Sequence, residues 1–265
     1  MSVFRTANIP CPGCGGETAF NLVHSVNADR RADLRDEILG ATFQQQACPG
    51  CGRAFRVEPE FNYLNLGRNQ WIAAWPRSAM ADWQQYDAQA RESFADAFGD
   101  NAPTGAQEMG RNIVPRITFG WAALREKILV RDAELDDVTV ELAKAALIRS
   151  SPTARIMTSE LRLLAIEGEE LVFGWIDSNN EKGIEINRVN RALLAEIEAD
   201  SSTWEGLRNQ LSSELFVDIN RLFLPQSEAA EAEEKTGGRA VQKGKAPAKS
   251  GGARAKAPPG KKKKK

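Results

Sequence analysis

Cys11-Pro-Gly-Cys-Gly15 and Cys48-Pro-Gly-Cys-Gly52 are the same pentapeptide written twice, and together they hold all four cysteines of the 265-residue chain. A Cys-x-x-Cys turn brings two sulfurs close enough to share one ion, and two such turns supply the four thiolates of a closed tetrahedral site. Pro12 and Pro49 stiffen the turns. Gly15 and Gly52 follow the second cysteine of each, where a left-handed backbone lets amides point back at sulfur. The pattern predicts that Cys11, Cys14, Cys48 and Cys51 are metal ligands.

Working outward, Cys14 and Cys48 have 33 residues between them, more than the roughly 15–20 of a compact zinc ribbon. Thr18–Val26 reads as a strand leaving the first turn, and Asp33–Leu39 as a short helix capped by Asp33 and ended by Gly40. Thr42–Ala47 leads into the second turn and Arg53–Val57 leaves it. The expected N-terminal unit, residues 1–78, is a zinc-ribbon-like β unit with a helical insertion.

Four thiolates hold zinc or iron equally well by ligand identity. Zinc is expected because structural four-cysteine sites are commonly zinc, with a rubredoxin-like iron site as the alternative. A disulfide pair suits neither the Pro-Gly turns nor the expected cytoplasmic setting. A redox dithiol would place one Cys-x-x-Cys at a helix start in a βαβ context. A closed shell leaves no position for water or substrate, so the site reads as structural. The one histidine, His24, reads as an ordinary strand residue, and a single histidine excludes a histidine-rich hydrolytic centre.

The two CPGCG turns, followed by Phe61–Pro76 (FNYLNLGRNQWIAAWP) and Arg116–Asp137 (RITFGWAALREKILVRDAELDD), resemble the CpXC-domain family of prokaryotic proteins over residues 8–150. The resemblance implies that the same four cysteines are metal ligands. The family's function is not established.

Beyond the turns, residues 79–227 read as an α+β region. Gln70–Trp75 suits a buried strand ended by Pro76. Trp83, Tyr86, Ala90, Phe94 and Ala97 recur at helical steps up to Gly99, and this stripe reads as a core face. Asn101–Arg111 reads as loop. Helices are expected around Trp121–Leu129 and after Leu135, the latter ended by Pro152, and a hairpin over Glu160–Asp177 with apolar residues on both faces. Ile186, Val189, Leu193 and Ile197 predict a fourth helix, and Leu207, Leu211 and Leu215 a fifth. The acidic clusters Asp132–Asp137 and Glu167–Glu170 read as solvated caps and turns. Neither a Walker-type phosphate loop nor a G-x-S-x-G nucleophile turn occurs.

Charge divides the chain sharply. Residues 235–265 carry 12 of the 35 basic residues and no acid, which leaves residues 1–234 with 23 bases, all 36 acids and a net charge of −13. Residues 228–265 contain almost nothing apolar and read as a disordered tail that cannot offset its ordering entropy. Its cations, Lys243, Lys245, Lys249, Arg254, Lys256, Lys261, Lys262, Lys263, Lys264 and Lys265, suit phosphate neutralisation without sequence preference. A solubilising role and a fold-back onto the acidic body are the rival readings of the tail.

No apolar run reaches the roughly 18 residues needed to span a bilayer. The first residues lack a basic segment followed by an apolar one, so a cytoplasmic protein is expected. The sum is a non-enzymatic, zinc-stabilised binding or adaptor protein that meets a partner protein or nucleic acid. One alternative is an enzyme whose site lies in the α+β body with zinc only structural; the other is iron electron transfer.

Overall fold

Each CPGCG turn closes a β-hairpin. In the computed structural model, which describes residues 3–151, 158–178 and 181–224, β1 (Val3–Pro10) runs antiparallel to β2 (Glu17–Asn27) across the first turn. β3 (Gln45–Ala47) and β4 (Ala54–Arg56) do the same across the second. Between the hairpins lies α1 (Ala32–Leu39), with Leu34 and Ile38 buried. Asp33 does not cap it. Arg31 holds the cap position without a side-chain bond, and Asp33 pairs with Arg31 at 2.6 Å instead.

β2 continues into a mixed five-stranded sheet with β5 (Phe61–Asn65), β6 (Gln70–Trp75) and β7 (Val114–Phe119), in the order β1-β2-β5-β6-β7. The sheet thus takes strands from both sides of residue 78. Central β6 is apolar on both faces because both are covered. Ile72 and Ala74 face α1 and α4 (Trp121–Asp132), while Trp71 and Ala73 face α2 (Trp83–Phe98). The aromatic stripe of α2 packs there: Tyr86 meets Trp75 and Phe119, and Phe94 meets Trp71. The expected loop at 101–111 instead carries α3 (Thr104–Gly110), whose two glycines mask its helical pattern.

A second core forms where α5 (Asp137–Ser150), α6 (Ala192–Ala199) and α7 (Ser201–Ser212) cover an antiparallel sheet of β8 (Ser159–Glu167), β9 (Glu170–Asp177) and β10 (Gly183–Asn190). The expected fourth helix is half strand. Ile186 and Val189 lie on β10, paired with Gly174 and Leu171, and only Leu193 and Ile197 lie in α6. β-branched side chains and an open edge on β9 decide this over helical spacing. The hairpin carries buried apolar residues on both faces, Leu171, Phe173 and Trp175 on one and Val172 and Ile176 on the other, but the second face is mixed. The register shifts at Leu164, which turns it outward over Gly174, and the second face buries Glu160 and Arg162.

Those two residues belong to a chain of buried charge that ties the cores together. Arg162 pairs with Glu126 at 3.0 Å and also with Asp218 and Glu160. Lys144 joins Glu126 (3.0 Å) to Glu141 (2.7 Å), and Lys127 joins Glu141 to Asp137, each at 3.3 Å. Arg116 closes the far end on Asp137 at 2.7 Å. Asp136 caps α5 through the Thr139 amide, but its neighbour Asp137 is partly buried and paired rather than solvated. Burial alone would raise Asp137 and Asp218, yet their cationic neighbours, Lys127 with Arg116 and Arg162 with Lys144, hold both well below the usual carboxylate range.

The architecture is α+β. The described elements belong to one compact unit, Met1–Leu224. The expected helix end at Pro152 and the basic tail, with Lys243, Lys245, Lys249, Arg254, Lys256 and Lys261 to Lys265, lie outside the described residues. Among the described residues, no helix is long and apolar enough to cross a membrane.

Candidate metal centre

The two turns are built alike, bond for bond. In the first, the Cys11 amide donates to the Gly16 carbonyl at 2.8 Å and the Gly15 amide to the Cys11 carbonyl at 2.9 Å. In the second, the Cys48 amide donates to Arg53 and the Gly52 amide to Cys48, both at 2.9 Å. Gly15 and Gly52 each have φ of 72°, the left-handed region that their position demands. The Gly13 amide donates to Cys11 Sγ at 3.3 Å and the Gly50 amide to Cys48 Sγ at 3.4 Å. Such bonds withdraw charge from thiolates and orient them.

Packing brings the turns face to face. Phe20 on β2 meets Phe55 on β4 edge to face at 5.1 Å. The Arg53 side chain lies over Gly13, close enough that a Cβ there would stand 2.8 Å from Arg53 Cδ. As a result Cys11 Sγ is 3.7 Å from Cys51 Sγ, Cys14 Sγ is 3.6 Å from Cys48 Sγ, and all four sulfurs lie within 4.8 Å of one another. A tetrahedron with metal–sulfur bonds of about 2.3 Å has edges of about 3.8 Å, so the cluster fits one ion. These four cysteines could hold a metal ion, and their identities match the predicted set.

Comparison with known protein families matches residues 9–144 to the family described as CpXC protein. The chain belongs to the CpXC family. No curated protein and no solved structure matches it. The CpXC match takes in both turns, the central sheet and α4, and ends inside α5.

Within this CpXC centre the first cysteine of each turn, Cys11 and Cys48, is buried, while Cys14 and Cys51 are exposed. The surroundings differ in electrical effect. The Cys51 and Gly50 amides hold the Cys48 thiol down to about 6 against the opposing effect of burial. Cys14 also gains from an amide, that of Gly16, but the sulfurs of Cys51 and Cys48 crowd it up to about 11. Four sulfurs this close cannot all ionise without a cation among them, so metal entry must release protons.

His24 is exposed on β2 and is not part of the cluster. Of the arginines that follow the second turn, Arg53 is exposed and Arg68 pairs with Glu134 at 3.2 Å. Arg56 is withdrawn. Its guanidinium lies 3.8 Å from the centre of the Trp121 ring, and its Nε donates to the Phe43 carbonyl at 2.8 Å. Trp121 Nε1 in turn donates to the Val57 carbonyl at 3.0 Å, so the second hairpin is pinned to the start of α4. Sequence reasoning missed this supporting layer. The signal was the apolar pair Phe20 and Phe55, each placed a few residues after a turn.

Proposed function

We propose that the protein is a zinc-stabilised, non-enzymatic binding or adaptor protein whose basic tail contacts nucleic acid or another polyanion. The single observation behind this reading is the closed set of four sulfurs at tetrahedral spacing. A shell filled by protein ligands serves folding rather than substrate activation. Zinc fixes the two hairpins against each other and presents the outer surfaces of the turns, including exposed Cys14, Cys51 and Arg53. The tail supports the polyanion part through its composition alone, 12 cations without an acid over residues 235–265, which favours salt-sensitive phosphate contacts.

Elemental analysis of the purified full chain tests the first part. Zinc at about one ion per chain and a colourless protein support it, and a red, redox-active protein assigns iron and electron transfer instead. Binding to a generic duplex DNA and a generic single-stranded RNA, with and without residues 228–265, tests the second. Affinity should fall steeply with salt and vanish with the tail removed; unchanged affinity on removal sinks it.

A further inference from the structure

Away from the cysteines, at the start of α4, three arginines gather, and two of them keep a buried N–H that no partner uses. Arg56 lies there on Trp121. Arg77 follows β6, with its Cβ within 3.5 Å of where a Cβ on Gly120 would stand. Arg125 lies in the first turns of α4, and its charge repels that of Arg56. Arg56 Nη2 and Arg125 Nε are both buried and have no hydrogen-bond partner. An orphaned buried guanidinium N–H is costly, and burial pushes Arg56 down to about 10.

Two carboxylates reach into this cluster from outside the helix, Glu58 and Glu181. Glu181 Oε1 accepts the Ala122 amide at 3.1 Å, and its charge attracts both Arg56 and Arg77. Three observations mark it as a replaceable occupant. Glu181 is exposed, and it is held at φ of 55°, a backbone state that a glutamate adopts only under constraint. It repels Glu58, which already accepts the Arg77 amide at 3.2 Å. It leaves the two guanidinium N–H groups above unsatisfied. Arg77 is partly committed to Glu160, which leaves Arg56 and Arg125 as the groups with donors to spare.

We propose that Arg56, Arg125, Arg77 and the Ala122 amide form a binding site for an oxyanion group, a phosphate or a carboxylate, in which Glu181 is a built-in competitor. Arginine forks suit both chemistries because each offers paired oxygens to parallel N–H donors. The site is independent of the metal and tail reading.

The test uses the full chain and inorganic phosphate, followed by titration calorimetry. Glu181→Ala should bind phosphate about tenfold more tightly than the parent, the worth of one displaced charge-assisted hydrogen bond. Adding Arg125→Gln to Glu181→Ala should return affinity to the parent level. Glu181→Lys, which places a tethered ammonium in the site, should abolish binding there even if Arg125→Gln impairs folding. The tail is common to all variants, so differences between them report the site. Acetate that competes with phosphate assigns the site to carboxylates, whereas phosphate binding undisturbed by acetate assigns it to phosphates. If Glu181→Ala binds no better than the parent, or if Glu181→Lys or the double variant keeps the gain, the proposal is overturned.

Discussion

The cysteine hairpins and the buried charge chain of α4, α5 and β8 solve one problem in opposite ways. Both crowd like-charged groups into a small volume. At the hairpins four sulfurs face one another with amides donating to two of them, and ionising all four calls for a cation from outside the chain. In the body the protein supplies its own counter-charges, with Lys127, Lys144 and Arg162 interleaved among Glu126, Asp137, Glu141, Glu160 and Asp218. The first arrangement could hold a metal ion and, on the reading proposed above, depends on one, whereas the second is complete once the chain folds.

Breaking the first region should cost most. Cys48→Ser removes a buried ligand held by the Gly50 amide. Metal content should fall to near zero, and the hairpins should lose a large share of the apparent 10–16 kcal/mol that structural zinc contributes in small peptides, roughly, since the body shares the load. Metal analysis and hydrogen exchange across residues 3–57 check this, and a chelator should reproduce it while leaving exchange in α5 unchanged.

Breaking the second comes next. Arg162→Met removes the cation that Glu160, Glu126 and Asp218 share, taking from Asp218 its ion-pair partner, and should destabilise the fold by about 3–5 kcal/mol. Denaturant unfolding measures it. Metal content should stay unchanged, which separates the two regions.

Acid sharpens the comparison. The folded-state pKa values of Asp137 and Asp218 are depressed below their unfolded values. Their contribution is present above the unfolded carboxylate range near 4 and is lost as pH falls through the folded values. Glu141, raised mainly by burial, takes up its proton earlier and opposes them. Metal should leave at milder acidity than the body unfolds, because protons compete directly for thiolates. A pH titration that follows metal release and near-UV dichroism together should show two separate steps.

The smallest effect is local. Gly52→Ala places a side chain at φ of 72° and should cost about 1–2 kcal/mol, read as a lower thermal midpoint with metal still bound. No atom lies within 4 Å of the added Cβ, so backbone conformation alone sets the penalty.

These regions also differ in how readily they could be read from the chain. The cysteine turns are local, so spacing and residue type fix their ligands before any fold is known. The charge chain is not local. Arg125, Glu126 and Lys127 are consecutive charges of the kind a solvated helix carries, but Glu126 faces Lys144 on α5 and Arg162 on β8. Only tertiary packing distinguishes them from surface charge. The same limit hid β1, an edge strand with a mixed pattern that forms because the first turn returns the chain onto it. It hid β10 as well, whose Ile186 and Val189 fit helical spacing until β9 offers a partner.

The burial of Lys127 and Lys144 has a practical side. The folded unit holds three lysines, and these two are sealed inside it, leaving Lys182 as the exposed one. The other ten follow residue 234. Amine-directed labels, cross-linkers and acetylating enzymes acting on the native protein therefore find a single exposed lysine, Lys182, among the described residues, and an arginine-directed reagent is the one suited to mapping the body.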